Sequence, residues 1–166
     1  YFSEYALMKY RVLIEVEYLL FLEKKKFFSF SHKTIKHLQK LTEDLGLEDA
    51  REIKQIEHTT NHDVKAVEYF VKNELGKTGG KAEKEFVHFG LTSQDINNTA
   101  IPFATKLALQ EVLLPLIKEV EELLIRKAKE WKDIPMLART HGQPASPTRL
   151  GKEIYVFADR LKNQLI

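Results

Sequence analysis

The sequence has no cysteine among its 166 residues, which excludes disulfides and thiolate chemistry. Neither sign of charge dominates: the net charge of +2 gives no reason to expect nucleic acid or a membrane surface as a partner. No uninterrupted apolar run approaches the roughly 20 residues that span a bilayer. We therefore expect a cytoplasmic protein that binds neither membrane nor nucleic acid.

Strand patterns are also missing. The sequence has no sustained period-2 alternation and no Asn-Gly or Asp-Gly hairpin turn. Helical spacing of apolar residues recurs along the chain. We predict an all-α fold, with a small N-terminal helical domain at residues 1–91. The first long helices of an elongated helical bundle should follow at residues 92–166, and nothing in the first 57 residues predicts chemistry.

One long helix is predicted from residue 93 to about 131. Apolar residues recur on a single stripe from Ile96 to Ala128, and the period resumes after Pro102 and after Pro115. We expect the two prolines to bend this helix without ending it. At ~1.5 Å per residue it would be roughly 55–60 Å long. Such a helix needs an elongated bundle, which is best built between subunits.

Two predicted helix starts carry polar residues. In TTNHD at 59–63, Thr60 and Asp63 have the spacing of a capping box, which would place His62 in the first turn of a helix. Thr92 and Asp95 repeat that spacing in LTSQDINN at 91–98. Helix N-termini favour anions because their N–H groups are free. The alternative is that both are ordinary caps, with an exposed histidine at the first.

His141 lies in a third polar segment, LARTHGQPASPTRLG at 137–151. Gly142, Pro144 and Pro147 interrupt any helix there, so we expect a loop between two helices. Such a loop can hold one imidazole in a fixed orientation. The alternative is a connecting loop with a surface histidine.

Together the three motifs resemble the fumarase/aspartase superfamily of lyases, and within it the adenylosuccinate lyases. The resemblance is carried by TTNHD at 59–63, TSQDINN at 92–98 and RTHGQPASPTRLGKE at 139–153. It extends over essentially the whole chain, and NHDVKAVEY at 61–69 is similar to the longer bacterial-type form. Fumarase and argininosuccinate lyase share the Thr-His pair but continue with Leu-Gln, where this chain has Gly142-Gln143.

The resemblance implies an enzyme of purine biosynthesis. Its reactions would be the elimination of fumarate from adenylosuccinate, giving AMP, and the same elimination from succinyl-aminoimidazole-carboxamide ribotide. It further implies a small-molecule nucleotide substrate, with no metal and no organic cofactor. The expected assembly is a homotetramer in which three subunits contribute to each active site.

This elimination needs a base that removes a proton next to a carboxylate, and an acid that protonates the departing nitrogen. The resemblance makes His141 the general acid, because imidazole titrates near neutrality. Spacing alone leaves both His62 and His141 open as the proton carrier. The residues implied to bind substrate are Asn61, His62, Asp63, Thr92, Ser93, Thr140 and Gln143.

Within that set, the resemblance gives the succinyl part of the substrate to Thr140, Thr92 and Ser93. Residues 61–63 would contact the nucleotide or orient the acid, and Gln143 would orient the loop. Four further residues match the family pattern but have capping or packing as alternative roles. They are Asp95, Asn97, Ser146 and Lys152.

Two other readings stay open. The first is a different lyase of the same superfamily, acting on argininosuccinate or malate. The second is a helical interaction domain that kept the fold and lost the chemistry, although this leaves the placement of the polar motifs unexplained.

Two parts of the family pattern are absent from the sequence, and we expect the chain to be an N-terminal fragment. In the family the base is a serine on a mobile loop, which would lie beyond position 166, and a nucleotide-binding Arg-Tyr pair would precede Tyr1. The polypeptide should therefore not release fumarate from adenylosuccinate when assayed alone. Fumarate release at an enzymatic rate would contradict this expectation.

Overall fold

A computed structural model of the chain describes residues 1–165. The chain forms two compact units, of which the first is Tyr1–Leu107 and the second begins at Ala108. The first four turns of the long helix thus pack with the N-terminal helices. The division into domains at residues 91 and 92 stays a prediction about the whole protein.

Helices make up most of the described chain, so the predicted all-α class is confirmed. The helices are α1 Glu4–Lys24, α2 His32–Asp44, α3 Leu47–Thr60, α4 Asp63–Lys77, α5 Ser93–Ala108, α6 Leu114–Glu130 and α7 Leu150–Gln164. A 3-10 helix spans Ala82–Phe86 and a π-helical turn spans Leu109–Leu113. Two short strands, β1 Pro135–Thr140 and β2 Gln143–Arg149, complete the set.

The first unit is built around one face of α1. Its residues Met8, Val12, Val16 and Leu19 are at most 5% exposed, because they recur at the spacing that lines one side of a helix. Ser3 caps the start of α1, since its hydroxyl accepts the Ala6 N–H at 3.2 Å. Against this face pack buried residues of α2, α3 and α4, among them Leu38, Ile53, Val67, Phe70 and Val71.

The long helix is confirmed, since helical backbone continues from Ser93 to Glu130. Pro102 lies inside α5, and Pro115 lies in the first turn of α6. Before Pro115 the helix widens into the π-helical turn, where the Leu114 N–H bonds the Leu109 carbonyl five residues back. Because proline has no N–H to donate, a local change of hydrogen-bond register accommodates it without ending the helix.

Much of this helix is apolar and exposed. Ile96, Ala100 and Ala104 are buried in the first unit, whereas Leu113, Leu116 and Val120 are about half exposed (47%, 51% and 50%). The absence of an uninterrupted apolar run does not exclude a helix whose average composition suits a bilayer. Helix Ser93–Glu130 is long and apolar enough to span one, and 11% of its most apolar window is buried. Charged residues scattered along this helix keep every apolar run short. Composition alone does not distinguish a membrane-spanning helix from a helix that packs in a bundle.

The loop predicted around His141 is instead an antiparallel β-hairpin. Pro135 pairs with Arg149, Met136 with Thr148 and Thr140 with Gln143. The pairing shifts between Leu137 and Arg139, which is the irregularity expected of a β-bulge. The hairpin was not predicted because Pro144 and Pro147 have low strand propensity. Both prolines are tolerated here because they lie in a two-stranded ribbon that has free edges.

Helix α7 begins at Leu150, and its first turn lies against the end of α6. The Leu150 N–H bonds the Ile134 carbonyl at 3.0 Å, and the Gly151 N–H bonds the Trp131 carbonyl at 3.0 Å. A Cβ atom on Gly151 would lie 2.2 Å from the Ala128 carbonyl oxygen. Only glycine permits this close backbone approach.

Gly151→Ala should therefore destabilise the second unit by about 1–3 kcal/mol, the usual cost of forcing extra volume into packed structure. The atoms that would clash belong to backbone, which cannot rotate away. The free energy of unfolding from urea titration measures the effect. Lys152→Ala, at the exposed next position, is the control and should change stability by less than about 0.5 kcal/mol. Equal stability of the two variants would contradict this packing argument.

Candidate functional site

The first motif forms the junction between α3 and α4. Asn61 ends α3 in the left-handed conformation, with φ of 52°, and its N–H bonds the Glu57 carbonyl. The cap of α4 is His62, whose ring Nδ1 accepts the Lys65 N–H at 3.2 Å. The predicted capping box on Thr60 was wrong, because Thr60 is still part of α3 and its hydroxyl donates to the His62 carbonyl.

Capping determines which way the His62 ring faces. A neutral imidazole that accepts through Nδ1 carries its hydrogen on Nε2. That Nε2 lies 3.4 Å from the Ser93 hydroxyl, which belongs to the second motif. The half-exposed ring thus presents an N–H donor at the place where the two helix starts meet.

Asp63 is held from two sides. One carboxylate oxygen accepts the Val64 N–H at 2.8 Å, and the other lies 2.7 Å from the Arg11 Nη2. Partial burial alone would raise the pKa of Asp63, but the Val64 hydrogen bond and the Arg11 charge outweigh it and lower the pKa. Asp63 is therefore a fixed anion near neutral pH.

The second motif has the predicted pairing of Thr92 with Asp95. One oxygen of Asp95 accepts both the Thr92 N–H, at 2.7 Å, and the Thr92 hydroxyl, at 2.8 Å. These two bonds lower the pKa of the Asp95 carboxyl. Because the Thr92 hydroxyl donates to Asp95, its lone pairs stay available to a hydrogen-bond donor. The Ser93 hydroxyl lies beside the His62 ring and, unlike the Thr92 hydroxyl, does not donate to Asp95.

An open cleft of about 430 Å³ lies along the first motif, a volume typical of small-molecule sites. Its lining residues are Lys54, Glu57, His58, Asn61, His62 and Asp63. Lys54 bonds Glu57 at 2.9 Å and Glu4 at 2.7 Å. The predicted residues 61–63 therefore share a cleft with a lysine and a second histidine that sequence reasoning did not select.

The third motif lies in the second unit, at the tip of the hairpin. Thr140 and Gln143 are the last paired residues, and His141 and Gly142 form the two-residue turn with φ of 48° and 78°. Positive φ at both turn positions characterises the type I′ turn of tight hairpins. Histidine is among the few non-glycine residues that adopt this conformation readily. All four residues are exposed.

The predicted residues thus fall into two sets. Asn61, His62, Asp63, Thr92 and Ser93 gather at the two helix starts of the first unit, whereas Thr140, His141 and Gln143 occupy the hairpin of the second. Among the residues given less weight, Asn97 bonds Arg11 at 2.9 Å, and Lys152 lies 3.6 Å from Glu153. Within residues 1–165, no three His, Asp or Glu side chains are grouped as a metal site.

Sequence reasoning missed a polar row on α1. Arg11 is 6% exposed and Glu15 is fully buried. Glu15 lies 2.5 Å from the ring Nδ1 of His88. Burial raises the pKa of the Glu15 carboxyl, although the neighbouring histidine opposes this effect. The signal was present in the sequence: a charged residue four positions from another, on the apolar face of a helix, needs a buried partner.

Comparison with known proteins identifies the class of this helical chain. The chain belongs to the lyase family, whose family model matches residues 10–165. An adenylosuccinate lyase of Dictyostelium discoideum is 52% identical over 99% of this chain. That of Escherichia coli strain K12 is 43% identical over 98%. The chain spans 37% of the length of each relative, and the resemblance drawn from the three motifs is confirmed.

Solved structures agree on the fold. A β-carboxy-cis,cis-muconate cycloisomerase from Acinetobacter calcoaceticus sp. ADP1 matches with a TM-score of 0.80 at 21% identity, over 99% of this chain and 37% of its own. A fumarate lyase from Mesorhizobium sp. BNC1 matches with a TM-score of 0.79 at 19% identity, over 98% and 36%. At these identities the likeness concerns the fold alone.

The capping role of His62 can be separated from its chemistry by substitution. His62→Ala removes the acceptor of the Lys65 N–H and should cost about 1 kcal/mol of stability, within the roughly 0.5–2 kcal/mol known for helix caps. His62→Asn keeps a side-chain acceptor at the cap and should stay close to the parent. Chemical denaturation of the three proteins measures the difference. Equal losses in both variants would show that the ring does not act as the cap.

Proposed function

We propose that the whole protein carrying this chain is an adenylosuccinate lyase. The similarity to relatives of that name covers 98–99% of the chain, so all three polar motifs lie within it, and this observation carries the proposal. The substrates would be adenylosuccinate and succinyl-aminoimidazole-carboxamide ribotide, in purine biosynthesis. The protein would act in the cytoplasm.

The reaction is a β-elimination. A base takes a proton from the succinyl carbon next to a carboxylate, the electrons of that C–H bond form the C=C bond of fumarate, and the C–N bond breaks. The departing nitrogen leaves as the neutral amino group of AMP only if an acid protonates it. The resemblance gives the base to a serine that the three motifs do not include. The acid and much of the binding are the roles that fall to this chain.

We assign the acid to His141 because the two histidines differ in their surroundings. The Nδ1 of His62 is occupied by the backbone of α4, so gaining a proton there would break the cap. His62 suits a hydrogen-bond donor to an anionic group better than a group that cycles its proton. His141, exposed on a rigid two-residue turn, has both ring nitrogens free of such a constraint. Its backbone position is set by the turn itself.

The substrate carries several negative charges, and the binding residues suit them. Ser93 and the first N–H groups of α5 offer donors to a carboxylate, with the helix dipole favouring an anion. Thr140 and Gln143 flank His141 on the hairpin and would contact the succinyl part beside the reacting bond. Asn61 and His62 line the cleft with His58 and Lys54, which suits the nucleotide part. Asp63 is an anion, so it would orient these side chains rather than contact a phosphate.

A homotetramer is also proposed, and the long helix supports it. Exposed apolar side chains continue along its second half at Leu109, Val112, Leu113, Leu116, Val120 and Leu123. Burying such a stripe gains roughly 25 cal/mol per Å², which favours packing against other helices of an assembly over exposure to water. Helices of further copies would cover it, and each active site would then draw on several subunits.

The substrate test uses the whole protein with adenylosuccinate, argininosuccinate and malate, following the formation of fumarate. Adenylosuccinate should be consumed with kcat/KM at least about 10³-fold above the other two, since a site built for a polar group rejects analogues strongly. Turnover of argininosuccinate or malate instead would transfer the protein to another branch of the family. Absence of turnover on all three would favour a non-catalytic role.

His141→Asn is the sharpest variant for the acid, because asparagine also tolerates positive φ and Asn-Gly favours the same turn. Its turnover should fall about 10²–10⁴-fold, as should that of His141→Ala, since general acid catalysis is worth that much. Steady-state kinetics on the whole protein measure this. Near-normal turnover of His141→Asn together with an inactive His141→Ala would mean that the turn matters and the imidazole does not.

A further inference from the structure

Arg11 makes two contacts that belong to two different helix starts. Its Nη2 lies 2.7 Å from an oxygen of Asp63 at the start of α4. Its Nε donates to the Asn97 side-chain oxygen at 2.9 Å in the first turns of α5. Both partners are far away in sequence, and the arginine itself is 6% exposed. One guanidinium therefore connects the two helix starts from the inside of the first unit.

The geometry of the guanidinium makes this connection rigid. Its N–H groups lie in one plane and at fixed angles, so two acceptors bonded to it at once are held at a defined separation. Burial strengthens this effect because a charged group removed from water is costly unless its donors are satisfied. Neither contact can lengthen freely without leaving a buried donor unpaired.

Helix α1 supports the same region at two further points. Glu15 lies 2.5 Å from the His88 ring, and the Tyr18 hydroxyl donates to the Phe89 carbonyl at 2.9 Å. Arg11, Glu15 and Tyr18 are spaced by four and three residues, so they share one side of the helix. This row of α1 thus fixes the chain that leads into Ser93.

The contact between His62 and Ser93 depends on the separation of the two helix starts that Arg11 connects. Their side chains are 3.4 Å apart, at the outer edge of hydrogen-bonding distance. A displacement of about 1 Å between the two helix starts would break this contact, and misplacement on that scale can cost about 10²-fold in rate.

We propose that Arg11 is a positioning residue. It sets the separation of the two helix starts and so allows His62 and Ser93 to contact the same substrate molecule. The inference rests on the proposed function for its kinetic consequence. Arg11 does not touch the substrate in this role. It acts through Asp63 and Asn97.

The test compares Arg11→Lys and Arg11→Met with Lys9→Met in the whole protein. Lys9 is the matched control, because it is a cation on the same helix whose ammonium contacts the Glu43 carbonyl at 3.5 Å. For adenylosuccinate, kcat/KM should fall about 10–100-fold in both Arg11 variants and stay close to the parent in Lys9→Met. Lysine keeps the charge but offers no fixed fork, so it should not restore activity.

Two readouts separate positioning from mere stabilisation. The carboxyl pKa of Asp63, followed by NMR, should rise in Arg11→Met and stay lowered in Arg11→Lys, since the cation remains. Losses in kcat/KM from Arg11→Met and Asn97→Ala should also be less than multiplicative when combined, because both break one connection. A structural role alone would lower thermal stability and leave the kinetics of the folded enzyme unchanged.

Folded Arg11→Met enzyme with the parent kcat/KM would overturn the proposal. If that variant does not fold, Arg11→Lys and Asn97→Ala decide in the same way, since parent-like kinetics in both would overturn it. Failure of the parent protein to act on adenylosuccinate would refute the proposed function instead. The Asp63 titration would still decide on Arg11. An unchanged pKa of the Asp63 carboxyl in Arg11→Met, or in Arg11→Gln where Arg11→Met does not fold, would overturn the connection.

Discussion

A buried guanidinium needs acceptors for its hydrogens, and in this chain that requirement connects the core to the site. Arg11 faces inward between Met8 and Val12, where burial is nearly complete. Its acceptors come from two helix starts rather than from neighbours on α1. The packing of the first unit and the arrangement of its polar residues therefore depend on the same side chain. Moving α1 would disturb both the core and the contact between His62 and Ser93.

The hairpin applies a different constraint to His141. Two-residue turns need positive φ at both central positions, and here histidine takes the first and glycine the second. The backbone at the tip of such a turn has little freedom, so the point at which the imidazole is attached is set by strand pairing rather than by packing. The second unit thus presents His141 at a defined backbone position, exposed at the tip of the hairpin.

Local rules predicted the parts of this structure that local interactions form. The Thr92–Asp95 pair and the helix through both prolines follow from residues within a few positions of one another. The cap at His62 did not, because histidine is an uncommon cap and Thr60 had the commoner spacing. The hairpin was missed because prolines outweighed the turn. Arg11 depends on a contact 86 residues away in sequence, and no short-range pattern contains that information.

The apolar stripe and the cleft lead to the same requirement. A helix that leaves Leu113, Leu116 and Val120 half exposed lacks the burial that normally stabilises long helices. The cleft lined by Asn61 and His62 is open to solvent, and hydrogen bonds to a charged ligand there would stay weak in water. Packing further helices against the stripe would meet the first need. Covering the cleft would meet the second need, since hydrogen bonds are stronger where water is excluded.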